Sequence, residues 1–581
     1  MKFFHHTISF CAFMAPALLW SQNFDHLNKK DLVKVSGGLN FNNTIFASDR
    51  VGSVREPYAW YASGNINITA LGMSFPFSYS ISNQGKNFSQ PSNLTSINPS
   101  YKWFKSHIGR TSMSFSPYTL SGVTYSGAGV ELTPKKFSLK AMFGQLNKAV
   151  EYNVLENNIN SVAYRRWAGA LSLGYKINQT DFKLMFLKAF DDPNSLDFVP
   201  GLATVKPKDN IVASFQVKTQ IKKFSIETEA ASSILTDNLR NEENIHRGKW
   251  YSFLYPMARG NGTTSLYNAF KGGINYNLKF GRFGFNYERI DPGYQTLGGL
   301  FFNNDLENFT FSPSFSLFKQ KLNLSLNTGL QKNNLSKDKA AETNRWVGSV
   351  NVSAKIAKGL NGTITYSNFS AYTRNNPQID PFTNQVTYLD TFNVYQISQN
   401  MVTTLNYSFG KKNPSSISSS FTYQNSQNIT GDLENARAFG INASGAGNPA
   451  KTYVGTLSYT YSIKSQKVSL SMNGNANYSD FDVSQTLFIG PSTTIRKSFG
   501  KNKPSLSGGV TYNRNFQNGE LTNNIFNYRL SGNYSPKMKN EKIGVMSFSL
   551  NALYLNKLPT VKEGTTINEL TIVANVSYNF K

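Results

Sequence analysis

Six charged residues fall at alternating positions in four neighbouring segments: Lys218, Glu227 and Glu229, Lys271, then Arg282 and Glu288. Every second residue around them is apolar, as in Ile211, Ala213, Phe215 and Val217, or Phe224, Ile226 and Ala230. A strand sends successive side chains to opposite faces, so the charges share one face and the apolar residues the other. On a channel wall, a mixed-charge strip of this kind would bind or select a passing solute. The same residues would also pair with one another and brace the wall, which is the simpler reading. Arg529 has the same placement much later in the chain, flanked by the inward Asn527 and Asn533.

Other chemistries find little support. The histidines beyond the leader, His26, His107 and His246, are far apart and lack metal-ligand spacing. A surface hydrolase needs a histidine beside a carboxylate or serine. Asp237 and His246 offer that only inside a polar loop, 235–264, which reads as solvated. Gly127-Ala128-Gly129 has no third glycine and no following helix, so it is not a nucleotide loop. No catalytic, metal or cofactor site is expected, and no enzymatic activity. The formal net charge of +26 could suggest nucleic acid, but the basic residues are scattered and no aromatic RNA-binding motif accompanies them. Many stand at turns, including Lys135, Lys222, Lys319 and Lys467, where they would face lipid phosphates of one leaflet or simply solubilise the turns.

The elements that would position these charges form a rhythm running from Val33 to the last residue. Its final unit places Ile572, Ala574, Val576, Tyr578 and Phe580 on one face and Thr571, Asn575, Ser577 and Asn579 on the other. About ten residues tilted near 45° match the hydrocarbon thickness of a bilayer. Aromatics make up 14% of the chain, yet its mean hydropathy is −0.37 and no long apolar run follows the leader, which excludes a helical membrane protein. The pattern predicts one closed, antiparallel, all-β transmembrane barrel with lipid outside and a polar interior.

Residues 1–21 read as a signal peptide, with Lys2 before the apolar stretch from Ile8 to Trp20 and a cleavage point after Ser21. The only cysteine, Cys11, lies in that stretch, so the mature chain would carry no disulfide. Residues 22–32 are expected as a short periplasmic segment and 33–581 as the barrel. Tight turns are expected near 71–72, 107–110, 133–136, 178–180, 222, 281, 320, 358–360, 412–414, 465–466, 502 and 537–542. Long connections such as 191–209, 235–264, 290–307, 373–391 and 429–450 alternate with them. Short periplasmic turns, long extracellular loops and both termini at the short end imply about 22 to 26 strands. The region 82–123, with Pro91, Pro99 and Pro117, fits worst, and part of it is a candidate for folding into the lumen. The loop residues Trp250, Tyr251, Phe253, Tyr255 and Pro256 are apolar enough to be a second candidate.

The runs Ser114-Phe115-Ser116-Pro117-Tyr118-Thr119-Leu120-Ser121-Gly122 and Gly127-Ala128-Gly129-Val130-Glu131-Leu132 resemble those of large, mostly uncharacterised outer-membrane barrels of Bacteroidota. So does Phe301-Phe302-Asn303-Asn304-Asp305. The barrel is similar in scale to TonB-dependent transporters, but its strand pattern begins too early to leave room for a TonB box and plug domain. The resemblance implies an outer-membrane location without naming a chemistry. Porin-like or passive transport of a solute is the first expectation. The alternative is a structural or assembly scaffold working with surface lipoproteins or another barrel. Expected partners are outer-membrane lipids and the barrel-assembly machinery, which would read the terminal strand from Ile572 to Phe580; nucleic acid is excluded.

Overall fold

The computed structural model describes residues 33–580 apart from 51–55, 71, 84–93, 153–161, 200–204, 244–256, 300–303, 334, 338–343, 369, 374–393, 429–449, 482–483, 501–502, 538–543 and 561–563. The signal and periplasmic segments and the aromatic loop Trp250 to Pro256 lie outside the described residues.

Among the described residues the regular structure is all strand, in one antiparallel sheet of 29 segments. The first, Val33–Ser48, pairs with the last, Ile567–Phe580, so the sheet closes on itself. Three strands are interrupted: Leu94–Ile97 continues as Ser100–Tyr101, Leu306–Phe311 as Ser314–Leu317, and Leu360–Ser367 as Ser370–Thr373. In each case both pieces pair with a common neighbour, giving a ring of 26 strands. Pro99 and Pro313 stand at two of the breaks, where a missing backbone N–H removes a ladder donor. Closure satisfies every edge, the condition for a sheet to lie in hydrocarbon.

Strands such as Val394–Phe409, with 16 residues, exceed the roughly 9–11 needed to span, so the ring projects beyond the membrane. Its two ends differ. At one end, two-residue gaps separate Ile177 from Thr180 and Ile221 from Phe224. Lys102, Lys135, Asn178, Lys222 and Lys467 take left-handed backbone there, at φ of 50°, 47°, 52°, 53° and 54°. The turn expected at 107–110 instead lies at Lys102 and Trp103, and Phe104–Ser112 runs straight through that region. Gly109 is the reason for the error. A Cβ there would strike the carbonyl oxygen of Thr95 on the next strand, so this glycine marks a close approach and not a reversal.

The outer wall carries the apolar set. Phe215, Ile221, Phe224, Phe270, Ile274, Phe285, Met472 and Leu530 are all exposed, as lipid-facing residues must be when no lipid is present. Ile234 belongs to this face yet is buried, because Ala258 packs over it together with Ile211 and Leu266. The loop around Ala258 therefore folds onto the outside of the wall at the long-loop rim. Beside it Arg259 and Lys188 both pair with the fully buried Asp209. At the seam, Ile572, Val576 and Tyr578 stand in register with Ile45, Phe41 and Leu39. Above that register Asp49 accepts the backbone and side-chain N–H groups of Asn568, at 2.7 and 2.8 Å. The backbone N–H is the larger influence holding its carboxyl below the usual carboxylate range.

Candidate functional site

The face opposite the apolar belt lines the lumen, and it is not uniform. On strands Phe137–Asn147, Arg166–Ile177, Thr180–Asp191, Asp209–Ile221 and Phe224–Thr236 several inward residues are apolar: Met142, Ala168, Leu187, Val212 and Leu235. Met113, Leu120 and Val123, from the connection before Thr124, cover them together with Leu297. Burying such side chains contributes about 1.5–3 kcal/mol each before the entropy of ordering the loops is counted. Two connections therefore occupy this side of the lumen, 113–123 and 291–299.

Hydrogen bonds fix these connections to the wall. The Asn210 side chain, fully buried, donates to Ser233 Oγ at 2.7 Å and accepts the backbone N–H of Leu297 at 3.0 Å. The Ser233 hydroxyl donates in turn to the Gln295 carbonyl at 2.7 Å. The two connections also hold each other. The Tyr294 hydroxyl donates to the Tyr118 carbonyl at 2.9 Å, and the Ser121 N–H to the Gly298 carbonyl at 3.0 Å. At Gly298 a Cβ would lie 2.6 Å from both the Thr119 carbonyl and a Leu187 methyl, so only glycine permits this approach.

The charges anticipated from the sequence meet this assembly at one point. The Tyr118 hydroxyl donates to Glu288 Oε1 at 2.7 Å, and burial above all pushes its phenol pKa up, so the proton stays on the tyrosine. Glu229 is buried and accepts from Ser214 at 2.7 Å and Gln216 at 3.2 Å. Lys271 stands in register between Glu229 and Glu288. Lys218 and Glu227 pair at 2.8 Å and stay half exposed, so this ion pair contributes little to stability. Arg282 is near the short-turn end, in register with Asn277 and Ser314. Arg529 stands apart from all six, between Gly509 and Leu553 on another part of the ring. The sequence did not single out Asn210, Ser233 or Tyr294, and it named Tyr118 only within the run that carries the resemblance. A further inward cluster was also missed: Glu131 holds His107 at 2.7 Å and Lys140 at 3.0 Å. Among the described residues no group of acidic, histidine or cysteine side chains could hold a metal ion.

No family model matches the sequence, and no curated protein is similar to it. Among solved structures, the P pilus usher (PapC) translocation pore is similar at 9% identity and a TM-score of 0.37, covering 94% of this chain and 99% of that one. Pseudomonas aeruginosa OccK5 (OpdH) is similar at 10% identity and a TM-score of 0.28, with 94% and 98% covered. Acinetobacter baumannii OccAB1 gives 10% and 0.29 over 70% and 98%. At such scores the likeness is one of large barrels in general and carries no argument about function.

Proposed function

We propose that this chain is a passive channel of the bacterial outer membrane, with part of its lumen occupied by its own loops. The observation that carries the reading is a closed ring with an apolar outer belt whose lumen, among the described residues, is filled along one side. Barrels of about 22 strands hold a plug, whereas those of 16–18 are open, so a bare ring of this size would leave a very wide hole. The connections 113–123 and 291–299 reduce that hole without needing a separate plug domain. Antiparallel barrels of this kind belong to outer membranes, with short turns periplasmic and long loops outside. The resemblance to Bacteroidota barrels supports the same location. The partners proposed are outer-membrane lipids and the machinery that inserts barrels.

Purified protein in planar bilayers is the test. Steady, discrete conductance steps, smaller than those of an open porin, are the expected result. A protein that inserts yet conducts nothing would exclude transport and leave the scaffold beside surface lipoproteins or another barrel.

A further inference from the structure

On the outside of the wall, at the long-loop rim, lies a cleft of about 340 Å³ lined by Phe143, Trp167, Phe190, Asp192, Pro193 and Arg259. Its volume falls at the lower end of the range for pockets that take small ligands. Phe190 is the eleventh residue of Thr180–Asp191 and stands in register with Trp167. About 9–11 residues cross the hydrocarbon core, so this pair sits at the outer interface, where tryptophan is favoured. Phe143 lies deeper, in register with Gly169; it stacks on Trp167 at 5.7 Å between ring centroids and is 60% exposed.

A buried carboxylate holds the polar end of the cleft. Asp209 accepts Arg259 Nε at 2.8 Å and pairs with Lys188, whose ammonium also donates to the Met257 carbonyl at 2.6 Å. Arg259 has a left-handed backbone, φ 43°, which is uncommon for a residue with a long side chain. Its guanidinium lies 4.6 Å from the Phe190 ring centroid, yet the side chain is still 44% exposed. Asp192 stands 3.8 Å from Arg165, and Arg240 donates to the Pro193 carbonyl at 3.1 Å. The groups that meet here, Lys188, Arg259, Arg165 and Arg240 against Asp209 and Asp192, are net positive.

We propose that this cleft binds one phosphorylated lipid of the leaflet at the long-loop rim, with its phosphate on Arg259 and an acyl chain against Phe143 and Trp167. A guanidinium makes strong charge-assisted hydrogen bonds to phosphate. A cation that stands directly above exposed aromatic rings suits a headgroup tethered to a hydrocarbon chain better than a free ion. The inference gives the outer-membrane lipids proposed above a defined site. It rests on the membrane orientation of that reading and not on conduction.

Native mass spectrometry of the intact protein in mild detergent tests it, with monophosphoryl lipid A added and, separately, the same lipid without its phosphate. One copy of the phosphorylated lipid should stay bound, about tenfold more tightly than the other, as one charge-assisted hydrogen bond provides. Arg259→Ser should abolish that preference, whereas Lys467→Ser, at the opposite rim, should keep it. If Arg259→Ser fails to fold, Phe143→Ser tests the acyl half of the site without touching an ion pair. It should lower retention of the phosphorylated lipid while the amount of folded barrel stays the same. Equal retention of the two lipids would overturn the site and leave the channel standing, as would a preference that survives Arg259→Ser or retention unchanged by Phe143→Ser. A chain that does not insert into lipid vesicles would remove both readings.

Discussion

Replacing residues 114–121 and 294–299 with short glycine-serine connections is expected to raise the single-channel conductance to at least that of a barrel of about 16–18 strands, the size at which a porin is open. The ring should survive, because these residues sit in loops and not in ladder hydrogen bonds. What is lost is the cover over Leu187, Val212 and Leu235 and the bonds centred on Asn210. A milder variant, Asn210→Ala, leaves the Leu297 N–H without its acceptor, at a cost of about 1–3 kcal/mol. It should make the conductance noisy and not uniformly larger. Conductance unchanged after the loop replacement would mean that these connections do not limit the lumen.

Phe580→Ala combined with Tyr578→Ala is expected to remove most of the folded, membrane-inserted protein. The two rings stack at 5.6 Å between centroids on the last strand, and Phe580 stands in register with Gly37, which has no side chain to cover the seam. The terminal strand must pair with Val33–Ser48 before the ring has no open edge, so weakening its end acts on the step that completes the barrel. Heat-modifiable mobility of the membrane fraction reads the outcome. Equal amounts of the compact form in variant and parent would show that the terminal aromatics are not needed for insertion.

The wall was legible in the sequence because alternation is a local signal. Phe215, Phe270 and Phe285 fall on the lipid face through a period of two that any ten-residue window contains. The lysine turns were legible for the same reason. The lumen was much less so. Its filling depends on contacts between residues far apart, such as Tyr118 with Glu288 and Asn210 with Leu297, and no local pattern encodes them. A signal was nevertheless present. Met142, Leu187, Val212 and Leu235 put apolar side chains on the face that is otherwise polar, which a water-filled lumen does not explain. Gly109 misled because glycine serves both turns and close strand contacts, and only the neighbouring strand distinguishes them. Periodicity alone places Ile234 on the lipid face, in step with Phe224, Ile226 and Ala230, and its burial under Ala258 depends on a loop that the alternation does not describe.

The account depends most on the position of two loops, and a cryo-electron microscopy map of the intact protein in a lipid nanodisc tests that directly. It should show one closed ring of 26 strands, with residues 113–123 and 291–299 inside it against the wall formed by Asp209–Ile221 and Phe224–Thr236. An empty ring, or these two segments lying above the rim, would contradict the account.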